Sequence, residues 1–129
     1  MINFETTIKE TQVDMLGHLN NAVYLELFEL ARWDIIHSRG YGMKKMLELQ
    51  KGPVLLEVNL KFMREVLTRD VITIKSELVK YEGRVGQILQ KMYKEDGVQA
   101  AELLVTFGLF DMKTRRLIEP TPEWKAALS

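Results

Sequence analysis

The sequence predicts an α+β fold in which an antiparallel sheet wraps one long helix. Three observations carry that reading. A helix-length segment ending at Ser38 is apolar around most of its circumference, so protein must enclose it. From Pro53 onward the hydrophobic period switches to two and stays there. The strands follow the helix as a run, and an α+β arrangement fits that order better than alternating βαβ units.

The elements follow in chain order. Ile2, Phe4, Thr6 and Ile8 alternate with Asn3, Glu5 and Thr7, which predicts a strand over residues 2–8. Thr11 to Asn21 breaks that period and reads as a loop. Asn20 or Asn21 caps a helix that runs to about Ser38, with Gly40 just past its end. Leu56, Val58, Leu60 and Phe62 then alternate with Glu57, Asn59, Lys61 and Met63. Further strands are expected over roughly 70–81, 84–94 and 98–111. Gly83 turns the chain between the first two of these, and Asp96-Gly97 marks a two-residue hairpin between the last two. Pro120 and Pro122 bound a short terminal helix that begins near Thr121. No linker, repeat or low-complexity stretch divides the 129 residues, so one domain spanning 1–129 is expected.

Composition narrows the function. Lys plus Arg number 18 and so do Asp plus Glu, so no global basic field exists to hold nucleic acid or an anionic membrane. The chain has no cysteine, which excludes a disulfide framework, a thiolate metal site and a cysteine nucleophile. The first residues lack a basic segment followed by an apolar one, and no apolar run is long enough to span a bilayer. A cytoplasmic protein is expected. Two unpaired histidines make no zinc site, Gly40-Tyr41-Gly42 has neither the pattern nor the following helix of a phosphate loop, and the serines lack a nucleophile elbow. No metal and no cofactor are expected.

Chemistry concentrates in Asp14-Met15-Leu16-Gly17-His18-Leu19-Asn20-Asn21. This polar cluster lies between the first strand and the N-terminus of the buried helix. Free backbone N–H groups and the positive end of the helix face that space, where an oxyanion is stabilised. Asp14 supplies a carboxylate as base or nucleophile, and His18 a group that polarises a carbonyl or orients a substrate. The same residue types also suit an ordinary loop before a helix.

The pattern Asp14-x-x-Gly17-His18-x-Asn20-Asn21-x-x-Tyr24, continued by Glu29-x-Ala31-Arg32, resembles the signature of the 4-hydroxybenzoyl-CoA thioesterase-like branch of the hotdog superfamily. The later strands, the Asp96-Gly97 hairpin and the closing Arg115-Arg116 and Pro120 extend the resemblance over nearly the whole chain. It implies a curved sheet around a central helix, and hydrolysis of an acyl-CoA or acyl-carrier-protein thioester. It also implies Asp14 as the catalytic carboxylate, with the choice between nucleophile and general base open. The Asn21 N–H would serve as oxyanion donor, and Gly17 would let the backbone pass close to the thioester. His18-x-Asn20-Asn21 replaces the Pro-Ala-Gly of some members, which favours a fatty acyl substrate over 4-hydroxybenzoyl-CoA. Active sites shared between subunits, in a homodimer or homotetramer, are also implied.

Other residues carry weaker expectations. Glu29 is either a structural partner of Arg32 or a base, with the structural role favoured. Tyr24, Asn20, Asn59 and Phe62 are candidate substrate contacts, each also explicable as packing or capping. Lys61, Arg64, Arg69, Arg84, Arg115 and Arg116 are candidate partners for coenzyme A phosphates. Two rival functions stand beside hydrolysis. One is an enoyl-thioester hydratase or dehydratase, whose aspartate-to-histidine spacing this chain lacks. The other is a non-catalytic acyl-thioester binding module.

Overall fold

The computed structural model describes residues 3–129. The elements are β1 (Asn3–Thr7), α1 (Asn21–Ser38), α2 (Met43–Leu49), β2 (Lys51–Phe62), β3 (Val71–Glu82), β4 (Val85–Lys94), β5 (Gln99–Asp111), β6 (Arg116–Ile118) and α3 (Pro122–Leu128). A short 3-10 turn occupies Glu10–Gln12. Ile2, assigned by the alternation to the first strand, lies outside the described residues.

All neighbouring strands are antiparallel, in the order β1-β3-β4-β5-β2, and β6 pairs with the end of β5. Register shifts at Leu55/Glu57, Leu78/Lys80 and Met92/Tyr93 break the ladders. Such bulges bend a sheet and increase its twist, and this sheet curves around α1 as in the hotdog fold. Leu27, Phe28 and Ala31 of α1 share one buried core with Ile72 and Ile74 of β3 and with the fully buried inner face of β5, which includes Leu103 and Val105. Trp124 of α3 closes one end of this core. Its ring stands edge-on to Tyr41 at 5.1 Å, and its indole N–H donates to the Tyr81 hydroxyl at 3.2 Å.

Local chemistry explains the ends of α1. The Asn20 side chain accepts the Ala22 N–H at 2.9 Å, and the last helical residue is Ser38. Three expectations need correction. Leu25 and Leu30 of α1 are 40% and 49% exposed, so one chain leaves the helix partly uncovered. A helix, α2, does follow Gly40-Tyr41-Gly42; at seven residues it is too short to show a period. The alternation at Leu56, Val58 and Phe62 does mark a strand, β2, which lies at the sheet's edge with these side chains 43–56% exposed. The turn at Asp96-Gly97 has three residues instead of two. Gly97 N–H donates to Lys94 C=O, Lys94 N–H donates to Val98 C=O, and Gly97 alone takes positive φ, +86°. No helix among the described residues is long and apolar enough to cross a membrane.

Candidate active site

The segment between β1 and α1 folds back on itself. Val13 bridges Leu19, Asp14 N–H donates to His18 C=O at 2.9 Å, and Gly17 N–H donates to Asp14 C=O at 3.0 Å. This is the pattern of the Gly97 hairpin, and it needs Gly17 at φ +78°. A Cβ on Gly17 would meet only Thr68 Oγ1, at 3.9 Å, so the glycine is required by conformation more than by space.

The turn fixes Asp14. Its Oδ1 accepts the N–H groups of Leu16 at 2.9 Å and His18 at 3.1 Å. The other carboxylate oxygen has no partner among the described hydrogen bonds. The turn in turn is pinned to the chain beyond β2: Leu19 N–H donates to Val66 C=O at 2.7 Å, and Thr68 N–H to Gly17 C=O at 3.2 Å.

The start of α1 adds backbone donors. Ala22 N–H is taken by the Asn20 side chain, and those of Val23 and Tyr24 by Asn20 C=O. The Asn21 N–H has no partner among the described residues. It remains available at the positive end of an 18-residue helix.

Asp14, His18, Asn20, Asn21 and Tyr24 line one cleft of about 490 Å³, together with Phe62, Arg64 and Glu65 from the end of β2 and just beyond it. His18 Nε2 lies 2.9 Å from Glu65 Oε2. Tyr24 is buried and meets the Phe62 ring edge-on at 5.0 Å. Burial raises its phenol above the ordinary range, against a backbone hydrogen bond at Val66.

The sequence-derived candidates thus divide. Asp14, His18, Asn20, Asn21, Tyr24 and Phe62 share the cleft, and Gly17 shapes the turn beside it. Glu29 and Asn59 are elsewhere. Asn59 sits on β2 opposite Leu104. Glu29 accepts the Trp33 indole N–H at 3.2 Å and lines a second cavity of about 380 Å³. The expected Glu29–Arg32 ion pair is absent among the described residues, because Arg32 reaches across to Gln90 Oε1 at 2.8 Å. Of the six basic residues, Arg64 alone lines the cleft; Arg69 pairs with Glu10 at 2.8 Å, and Arg115 lies over the Phe110 ring. Glu65 is the cleft residue that sequence reasoning does not find. Nothing local marks it, since only the tertiary pairing of residues 66–68 with the turn brings it to His18.

Known proteins share this architecture. The model of the thioesterase-like superfamily matches residues 8–128. The long-chain acyl-CoA thioesterase FadM of Escherichia coli is 30% identical over 112 residues, spanning 86% of this chain and 84% of that protein. The crystal structure of YbaW, a probable thioesterase from Escherichia coli, superposes with a TM-score of 0.88 at 28% identity, covering 99% of this chain and 96% of its own. A Staphylococcus aureus protein solved in complex with CoA superposes at 0.91 over 97% of this chain and 79% of its own; at 21% identity this likeness speaks to the fold.

Proposed function

The chain belongs to the thioesterase-like superfamily, and from that premise we propose that it hydrolyses fatty acyl-CoA thioesters with Asp14 as the reacting carboxylate. One observation carries the reading. A carboxylate with one oxygen clamped by two backbone N–H groups shares a cleft with the unpartnered N–H that opens α1. Acyl transfer needs that pairing: a group that attacks or activates, and a fixed donor for the oxygen that becomes negative.

The steps follow from those atoms. The thioester carbonyl oxygen accepts the Asn21 N–H. The free oxygen of Asp14 attacks the carbonyl carbon, or takes a proton from a water that attacks it. The C–S bond breaks and coenzyme A leaves as the thiol. On the nucleophilic route a water then cleaves the acyl–Asp14 anhydride and restores the carboxylate, so that on either route one water is consumed and the products are free acid and thiol. His18, held by Glu65, orients the substrate and supplies a proton to the leaving sulfur. Arg64 is placed to meet a coenzyme A phosphate. A donor at the Asn21 position is worth on the order of 10²–10³ in rate.

The reading extends to assembly. β2 offers an unpaired edge with Leu56, Val58 and Phe62 exposed. An apolar edge of this kind invites another strand, and a second copy pairing antiparallel through β2 satisfies it in an isologous dimer. Leu25 and Leu30 of α1 then gain a partner for their exposed faces. A tetramer follows if two such dimers associate.

The test is thiol release from a series of acyl-CoA thioesters of increasing chain length, wild type beside Asp14→Asn. Turnover that falls by at least about 10² in the variant supports the assignment, general base or nucleophilic catalysis being worth that order. Binding without thiol release on any chain length would replace it with a binding module or a carrier-protein substrate. Hydration of an enoyl thioester without thiol release would favour the hydratase.

A further inference from the structure

We propose that the cavity along the C-terminal half of α1 receives the distal end of the acyl group, and that Arg32 selects acyl groups ending in a carboxylate. The proposal rests on the thioesterase reading and names the substrate class within it.

The cavity is an apolar chamber with one polar wall. Ile36 of α1, Leu55 of β2, Ile88 of β4, Val105 and Phe107 of β5 and Trp124 of α3 supply hydrocarbon and aromatic surface. The polar wall is Arg32, backed by the fully buried Gln90, whose amide donates to Phe28 C=O and Ser76 Oγ at 3.0 Å each. Gln90 is therefore saturated. Arg32 is not: of the five guanidinium N–H groups, the hydrogen bonds among the described residues use one, to Gln90. No carboxylate lies within ion-pair distance of it among the described residues. Burial lowers its pKa, and the more distant Glu29 opposes that shift.

Among the described residues, the side-chain carboxylates around the cavity do not pair with Arg32. Glu29 and Glu77 are exposed, and the Glu29 carboxylate is engaged by the Trp33 indole. Arg39 also lines the cavity and also spends one N–H, on Ala127 C=O, so Arg39→Met is assayed beside Arg32→Met and is expected to keep the diacid preference; loss of the preference in Arg39→Met alone would overturn the choice of Arg32. A half-buried guanidinium beside hydrocarbon, with most of its donors unpaired, is costly unless an anion completes it. The planar fork fits a carboxylate best, through two parallel N–H···O bonds. An acyl chain with a terminal carboxylate supplies both features of the chamber, the apolar length and the anionic end.

Reach is consistent with this placement. Arg32 lies roughly 16 Å further along α1 than Asn21, at the rise of an α-helix. Within one chain the cleft and the cavity take opposite ends of β2, Phe62 in the first and Leu55 in the second. Antiparallel pairing of two β2 edges brings the Phe62 end of one copy beside the Leu55 end of the other. The acyl group then passes from the cleft of one copy into the cavity of its neighbour.

Two readouts test the proposal. The first is kcat/KM for dodecanoyl-CoA and for the mono-CoA thioester of dodecanedioic acid, in wild type, Arg32→Met and Arg32→Lys. The second is tryptophan emission on titration with dodecanoate and with dodecanol. Trp33 and Trp124, the two tryptophans of the chain, both line the cavity, so their emission reports occupancy whatever the catalytic activity. The expected result is a preference of wild type for the diacid thioester. Arg32→Met loses that preference by about ten- to a hundredfold, the size of a charge-assisted hydrogen bond, while dodecanoyl-CoA turnover barely moves. Arg32→Lys, which keeps the charge without the fork, falls between. Dodecanoate binds more tightly than dodecanol to wild type and equally in Arg32→Met. Equal losses on both thioesters, equal binding of acid and alcohol to wild type, or an effect confined to inhibition by the free-acid product would each overturn the proposal. Carboxylate-dependent binding with no hydrolysis of either thioester would overturn the thioesterase reading and leave the cavity assignment standing.

Discussion

Two glycines in the same backbone setting allow a controlled test of how the turn serves the site. Gly17 and Gly97 each close a three-residue hairpin with matching hydrogen bonds, at φ +78° and +86°. An alanine at either position meets no clash: the nearest atom is Thr68 Oγ1 at 3.9 Å for Gly17, and nothing lies within 4 Å of the Gly97 position. The cost of each substitution is therefore conformational. Placing an L-residue in the left-handed region costs about 1–2 kcal/mol, and the reduced freedom of the unfolded chain returns roughly 0.4–1 kcal/mol. The net loss is about 1 kcal/mol at each site, a fall in Tm of roughly 3–5 °C for a domain of this size.

Activity separates the two. The Gly17 turn carries the Leu16 and His18 N–H groups that hold Asp14 Oδ1, whereas the Gly97 turn only joins β4 to β5. Misplacing a reacting group by an ångström costs up to about 10²-fold in rate. Gly17→Ala is thus expected to lose about ten- to a hundredfold in kcat/KM and Gly97→Ala almost nothing, although both melt early by the same amount. Gly17→Asn, which tolerates positive φ, should recover most of the loss. The assays are a thermal melt and thiol release on the same preparations. Full activity in Gly17→Ala, or an equal loss in Gly97→Ala, would refute the link between the turn and Asp14.

Three further outcomes follow. If His18 acts through its contact with Glu65, then His18→Asn and Glu65→Gln should each lower kcat/KM, and the double variant should be no slower than the worse single one, since the two act as a unit; additive losses would separate them. If copies pair through β2 as proposed, Val58→Lys, which places a charge on that exposed edge, should elute as an inactive monomer in size-exclusion chromatography where wild type elutes as a dimer or larger; an active monomer would remove the shared site. Burial raises the phenols of Tyr24, Tyr41 and Tyr81, the first against a backbone hydrogen bond at Val66, the second aided by Glu123, the third against hydrogen bonds with Trp124 and Leu109. A raised folded pKa stabilises fully below the unfolded value near 10 and is lost as pH climbs through the folded one, so ultraviolet titration should show late tyrosinate formation coinciding with alkaline unfolding; ordinary phenol titration of a folded protein would contradict it.

What the sequence discloses and what it hides divide by range. The bounds of α1 are readable because capping is local: Asn20 bonds two residues ahead and Gly40 stands just past the end. The strands of the run are readable because alternation is local too. The Asp14–Asn21 cluster can be singled out because its parts are consecutive, so a turn and a helix start bring them together without the rest of the fold. The short elements α2 and β6 escape notice because seven and three residues hold too little period to detect. Glu65 beside His18 and Gln90 beside Arg32 escape it for a different reason, since each contact joins distant segments that only the completed sheet brings together.

Glu29 and β2 show how a sound local rule is overruled. A glutamate three residues before an arginine on a helix is a reasonable ion pair, worth a few tenths of a kcal/mol in isolation. Arg32 instead bonds a fully buried glutamine on β4, where leaving that amide oxygen unpaired would cost about 1–3 kcal/mol. The greater cost decides the geometry, and Glu29 turns to Trp33. For β2 the alternation correctly marks a strand, but a period of two does not say what covers each face. Leu56, Val58 and Phe62 lie at the sheet's edge, exposed in one chain. Apolar side chains at an unpaired edge are a liability in a lone subunit and an asset where a copy pairs there. The same edge carries Phe62 to the cleft of Asp14 and Leu55 to the cavity of Arg32. The proposed assembly and the proposed acyl selection thus bear on one strand, and a substitution on its exposed edge tests both.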